Sequence, residues 1–146
     1  MSLTPFSGVQ GGSEMPKRKR LTQKERKAVY EKYDGHCAYC GCELELKDMQ
    51  VDHIESIRRH EIDDVLGIED ICDKWINTLE NLNPSCRMCN FYKDTMEIEG
   101  LREQLGHLIG RLEKIYIFRL ALKYGLISVN KKQIRFYFEG GGQNEC

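Results

Sequence analysis

Hydrophobic and polar positions divide the chain into segments of different period. Between Leu21 and Tyr33 helix formers dominate. Thr22 with Glu25 three residues later makes a capping-box pair, and Gly35 suits the left-handed position beyond a helix end, so a basic first helix is predicted. From Cys37 to Ile57 the pieces are short: a Cys-Ala-Tyr-Cys-Gly-Cys turn, a Leu44/Leu46 alternation, then Met49, Val51 and His53 alternating with Gln50 and Asp52. This predicts two brief strands after a knuckle. Residues 58–80 set Val65, Leu66, Ile68, Ile71, Trp75 and Ile76 at roughly helical spacing among acids, which suggests a short helix covering the core. Pro84 and Ser85 punctuate, and no breaker follows up to Met96, so a helix should begin near Cys86 with Ser85 as N-cap. Leu101, Leu105, Leu108, Ile109, Leu112, Ile115 and Tyr116 recur at steps of three and four, predicting an amphipathic helix that runs toward Lys123 and stops at Gly125; Gly106 and Gly110 weaken it slightly. Ile127 and Val129, then Ile134, Phe136 and Phe138, read as a small hairpin before a Gly-rich tail.

Composition narrows the class. With 146 residues, 40% hydrophobic and 31% charged, the chain fits one soluble domain rather than two. The expected division is a disordered tail over 1–16, a core with its basic helix over 17–97, a C-terminal helix and hairpin packing on that core over 98–139, and a flexible tail over 140–146. The most apolar run, Ile115 to Leu126, is interrupted by Arg119 and Lys123, so no membrane span is expected. The opening MSLTPFSGVQGGSE lacks the charged and apolar regions of a secretory leader, and an intracellular location is expected. Formal net charge is -1, which by itself announces no nucleic-acid partner. Its distribution says more: residues 17–32 hold eight Lys and Arg against Glu25 and Glu31, whereas residues 61–73 hold six acids and no base.

Seven cysteines in a chain of this kind are more simply thiols or metal ligands than disulfides. Cys37-x-x-Cys40 and Cys86-x-x-Cys89 each have the spacing that lets two thiolates reach one ion from a tight turn, and four sulfurs complete a tetrahedral zinc site. The 45 residues between the pairs exceed the common zinc-finger interval, so such an ion would tie together the ends of a loop-rich unit. A thioredoxin-like redox pair is disfavoured, because no βαβ pattern surrounds either motif. Cys42, Cys72 and Cys146 have no partner at ligand spacing and read as ordinary thiols.

Between the pairs lie Val51-Asp52-His53-Ile54 and Glu80-Asn81-Leu82-Asn83-Pro84, and the second pair is followed by Asn90 and Lys93. This series, over about residues 25–97, resembles the zinc-containing HNH endonucleases, ββα-metal nucleases common in phages and bacteria. The resemblance implies a small α+β fold with a ββα-metal, treble-clef-like core and a structural zinc on Cys37, Cys40, Cys86 and Cys89. It implies that His53 is the first signature residue, Asn81 the second, and that Asn90 stands where many members have the final His. The implied activity is cutting or nicking of DNA with a catalytic Mg²⁺ or Mn²⁺, inside a bacterial or phage-infected cell near the nucleoid. The partner is then DNA, with a homodimer or a phage packaging partner as further possibilities.

The chemistry agrees with the residue types. Phosphodiester hydrolysis needs an activated water, a base for its proton and a cation against the developing charge. Asp52 and Asn90 offer hard oxygen ligands suited to Mg²⁺ or Mn²⁺, the thiolates suit zinc, and His53 is the natural general base. On a helix Cys89 and Asn90 are about 100° apart, so one helix could address both sites. On a regular strand, however, Asp52 and His53 point to opposite faces, so both approach one phosphate only if the strand bends or ends there. Asn81 either orients the base or pins the loop through backbone hydrogen bonds, with Asn77 and Asn83 as competitors. The basic residues Lys17, Arg18, Lys19, Arg20, Lys24 and Lys27, together with Arg87 and Lys93, are candidate phosphate contacts.

Two rivals stand beside this reading. A zinc deaminase would use His53-x-Glu55 with Pro84-Ser85-Cys86, but Ser85 separates the proline from the cysteine and the first cysteine pair is left without a task. A zinc-stabilised, non-catalytic DNA-binding or adaptor module would keep the fold without needing Asp52, His53 and Asn90 together.

Overall fold

The computed structural model describes residues 20–56 and 76–140. Most of the two expected tails, nearly all of the expected acidic helix, and Lys17, Arg18, Lys19, Cys72 and Cys146 lie outside the described residues.

The first helix, α1 (Gln23–Glu31), starts as expected: the Thr22 hydroxyl accepts from the Glu25 N–H at 3.2 Å, and the Glu25 carboxylate accepts from the Thr22 N–H at 2.7 Å. Gly35 turns the chain at φ +74° while its N–H returns to the Tyr30 carbonyl. A Cβ there would stand 2.6 Å from the Tyr30 hydroxyl, so both the backbone angle and the space require glycine. Strand β1 (Gln50–His53) pairs antiparallel with β2 (Leu82–Ser85), with Asp52 opposite Asn83 and His53 opposite Leu82. Val29 of α1 seals one side of this ribbon against Met49 and Leu82. Helix α2 (Arg87–Lys93) follows β2 directly and packs on β1. The result is a small α+β unit of two strands and a helix.

Several sequence expectations need correction. The Leu44/Leu46 segment is not a strand: the Asp48 and Met49 N–H groups both return to the Glu45 carbonyl in a turn, and only an isolated bridge joins His36 to Glu43. The second strand is instead Leu82–Ser85, where Pro84 is tolerated because each strand of a two-stranded sheet is an edge. Helix α2 is capped by Cys86 rather than Ser85, the cysteine sulfur accepting from the Cys89 N–H at 3.4 Å, and it stops at Asp94, which takes φ +47°. The long amphipathic helix is three: α3 (Ile98–Gly106), α4 (Leu108–Leu112) and α5 (Tyr116–Lys123). Gly106 closes the first, Ile115 is extended before the last, and Gly125 ends α5 at φ +66° as expected. No hairpin forms among the described residues beyond α5; a short 3₁₀ turn occupies Tyr137–Glu139.

That C-terminal segment nonetheless docks on the knuckle. The Tyr137 and Phe138 N–H groups donate to the Tyr39 and Ala38 carbonyls, each at 3.0 Å, while Tyr39 meets the Phe136 and Phe138 rings edge-on. Cys37, Tyr39, Leu101 and Phe136 form the core beneath, joined by Ile98 and Leu105. Arg102 fastens α3 to the same segment through the Ile134 carbonyl and Glu139, with its guanidinium over the Phe136 ring. Leu101 of α3 and Phe136 thus share one buried cluster with Cys37 and Tyr39. Helix α5 buries none of its residues and leaves Tyr116, Ile117 and Tyr124 exposed. Among the described residues no helix is long and apolar enough to cross a membrane.

Candidate metal centre and the adjoining polar cluster

The knuckle and the start of α2 meet because the Ala38 N–H donates to the Pro84 carbonyl at 2.8 Å, so β2 delivers the second cysteine pair beside the first. The sulfurs of Cys37, Cys40, Cys86 and Cys89 all lie within 4.8 Å of one another, and those of Cys40 and Cys86 are 3.9 Å apart. A tetrahedral ion with bonds of about 2.3 Å sets its sulfurs about 3.8 Å apart, so this cluster could bind a zinc ion. Four thiols this close share protons unequally. Hydrogen bonds from Cys40 and Cys89 drive the Cys37 thiol far below its ordinary pKa. The same bonds push Cys40 up to about 11 and Cys89 far higher, because a second thiolate would face the first. A bound dication would relieve that repulsion and release the protons, making affinity rise with pH.

Against this cluster lies a buried polar one. Asp52 alternates inward from β1 and is only 4% exposed. It accepts from the Lys93 ammonium at 3.2 Å and 3.1 Å and, through a very short bond, from the Tyr39 hydroxyl. Lys93 also donates to the His53 carbonyl at 2.8 Å, so one ammonium ties α2 to the end of β1. Burial raises the Asp52 pKa, with the Lys93 charge and the Tyr39 hydrogen bond pulling the other way. Burial and the Asp52 charge also raise the Tyr39 phenol far above its usual range, so Tyr39 is a hydrogen-bond donor throughout the working pH range.

His53 points from the opposite face, as strand geometry requires, and is half-buried, with Nε2 3.2 Å from the Asn77 side-chain oxygen. Asn81, 1% exposed, binds main chain among the described residues: its oxygen accepts from the Glu55 N–H at 2.8 Å and its side-chain amide donates to the carbonyls of Ile76 and Glu55. It pins the loop, and Asn77 is the asparagine at the imidazole. Asn83 has a third task, accepting from Lys32, which also donates to the Leu79 and Leu82 carbonyls. Asn90 is half-buried on α2, and its side-chain amide makes no hydrogen bond among the described residues.

Of the basic candidates, Lys93 is contradicted as a phosphate contact: its side chain is 0% exposed and committed to Asp52 and His53. Arg87, Arg20, Lys24 and Lys27 are exposed. Tyr39 was not singled out from sequence, although its place inside the first cysteine pair was visible; nothing in its spacing to Asp52 announces the contact.

No protein-family model matches the sequence, and no curated protein matches it. A solved structure, the type II-C Cas9 enzyme from Actinomyces naeslundii, is similar over 67% of this chain and 11% of its own length, with 20% identity and a TM-score of 0.43. The chain therefore spans about a tenth of that protein.

Proposed function

We propose that this protein is a DNA endonuclease of the HNH type, with a zinc-organised ββα-metal core. The reading rests on the HNH-like sequence pattern. The observation that carries it is the placement of α2: its first turn holds Cys89 of the four-sulfur cluster and its last residue, Lys93, grips both Asp52 and the His53 carbonyl. Asn90 is one turn before Lys93, on the same side of the helix. In this reading that spacing brings the Asn90 side chain toward the strand end that presents the imidazole.

In this reading His53 takes the proton from the attacking water, and the Asn77 oxygen, 3.2 Å from Nε2, orients the ring. Asn90, with Asp52, would hold a Mg²⁺ or Mn²⁺ ion, which would neutralise charge on the phosphate. Asn81 keeps the loop end where Asn77 can reach the ring. A second reading, a zinc-stabilised module that binds DNA without cutting, is favoured by one observation. Asp52 already receives hydrogen bonds from Tyr39 and from the Lys93 ammonium, which lies 3.1 Å from its second oxygen as well, and this opposes a dication at the same carboxylate.

A plasmid-nicking assay in Mg²⁺ and separately in Mn²⁺ tests the two. Wild-type cleavage that disappears in folded, zinc-loaded His53→Ala and falls at least about 100-fold in Asn90→Ala is expected of the nuclease. Folded wild type that never cuts plasmid or linear DNA in either metal would leave the binding module.

A further inference from the structure

Much of the basic charge described at the N-terminal helix is committed to the chain itself. Arg26 donates to the Met49 carbonyl, Lys32 caps the loop before β2, and Lys27 lies 3.5 Å from Glu31. The second half of the protein differs. From Leu105 to Arg135 the sequence carries seven Lys and Arg and one acid, Glu113, a local balance of +6. All seven of these basic residues are exposed.

The fold gathers part of this charge in one place. An open groove of about 880 Å³ runs between α3–α4 and the segment 130–134, and His107, Arg111, Lys114, Lys131 and Lys132 line it with Glu113 as the only acid among its described lining. Leu105 and Ile134, both packed on the core, make its floor. Arg111 donates to the Gln104 carbonyl at 2.6 Å and to the Tyr92 hydroxyl at 3.1 Å. Tyr92 belongs to α2, so the groove adjoins that helix, on the side turned about 200° from Asn90. The side chains of Lys114, Lys131 and Lys132 enter no ion pair or hydrogen bond among the described residues, and so are available to a ligand.

We propose that this groove seats the phosphodiester backbone of a nucleic acid, with Lys114 and Lys131 as phosphate contacts. The inference rests on the nuclease reading for the identity of the ligand and extends it by placing the strand along α3–α4 rather than along α1. Paired lysines on opposite walls suit a repeating anionic chain, and apolar floor residues suit sugar faces. No hydrogen-bonding array that would read bases is required of such a contact.

The test is binding, measured apart from cleavage. Fluorescence anisotropy of a labelled 20-base-pair duplex, without added Mg²⁺ or Mn²⁺, is followed from 50 to 200 mM salt for wild type, Lys114→Gln/Lys131→Gln and Lys24→Gln/Lys27→Gln. Two lost phosphate contacts flatten the salt slope by about 1.8, so over this fourfold salt range the wild type should lose about 12-fold more affinity than the groove variant. The helix variant should keep a slope closer to wild type. A groove variant with the wild-type slope, or a wild type that does not bind at 50 mM salt, would overturn the proposal. Binding that behaves as expected in a protein that never nicks DNA would remove only the nuclease reading, so the two failures are told apart.

Discussion

Lys93→Met isolates the buried ion pair that joins α2 to β1. The lysine side chain is 0% exposed and Asp52 5%, and the ammonium makes contacts of 3.1 Å and 3.2 Å to the carboxylate and 2.8 Å to the His53 carbonyl. Methionine fills nearly the same volume, so the loss is one of charge and hydrogen bonding rather than of packing. Removing one member of a buried pair costs about 3–5 kcal/mol, because the other charge is left uncompensated. At about 2–4 °C per kcal/mol for a chain of this size, the melting temperature should fall by about 6–20 °C in zinc-containing buffer. The pH dependence adds a second signature. Burial already raises Asp52 and Lys93 opposes that rise, so without the lysine the folded pKa must climb further above the unfolded value near 3.9. An acid with a raised folded pKa binds its proton more tightly when folded, so stability is regained as pH falls through that folded value. The deficit of Lys93→Met should therefore be full at pH 8 and smaller at pH 5. Asp52→Asn/Lys93→Met, which leaves a neutral acceptor for Tyr39, should recover part of it at pH 8. A loss under about 1 kcal/mol, or one that does not shrink on acidification, would refute the reasoning.

Cys89→Ser should reduce bound zinc from one equivalent per chain to a small fraction by elemental analysis. It should also abolish cooperative unfolding, because structural zinc in small sites contributes about 10–16 kcal/mol, as much as a whole domain's stability. Wild-type protein carrying well under one zinc would refute the assignment of the cluster. Asn81→Ala leaves the Glu55 N–H and the Ile76 carbonyl without their side-chain partner. At about 1–3 kcal/mol for the buried Ile76 carbonyl, with the part-buried Glu55 N–H adding less, urea unfolding should show a loss of at least about 1 kcal/mol, and a change within about 0.5 kcal/mol would show the loop end to be pinned by other means.

What the sequence made legible follows the range of the interactions. The Thr22–Glu25 cap, the turn at Gly35 and the stop at Gly125 depend on neighbours three to five residues away, and all three are found. The cysteine spacings were equally local within each pair, and the four-sulfur cluster follows from joining them. The strand at Leu82–Ser85 was hidden because its partner lies 33 residues earlier at Val51–Pro84, and Pro84 argues locally against a strand. Likewise the Phe136–Phe138 alternation was real as a buried pattern, but it is satisfied by Tyr39 across the knuckle rather than by a hairpin partner. Within the candidate site, the opposite directions of Asp52 and His53 were legible from strand period alone. The commitment of Lys93 to the interior was not, because a lysine three residues past Asn90 reads equally well as a surface cation until its partner is known.

The hydrogen bonds of Asn81 also close the base of the acidic segment between Glu55 and Ile76. The Ile54 N–H donates to the Asn81 carbonyl at 2.9 Å, and the Asn81 side chain binds Glu55 on one side and Ile76 on the other. The two ends of the intervening segment are thus stitched together at its base, where β1 and β2 already pair. Once the ends are fixed, lengthening the loop costs only about 0.6 kcal/mol per doubling, so its length and charge can vary while its base stays closed. Asn77, on the returning end of that segment, is the residue that reaches the His53 ring. The imidazole is therefore oriented by the closed base of the loop, and Lys93 fixes its main chain from the helix side. Asn81 and Lys93 both hold the end of β1, so substitution of either should disturb the His53 ring through the main chain.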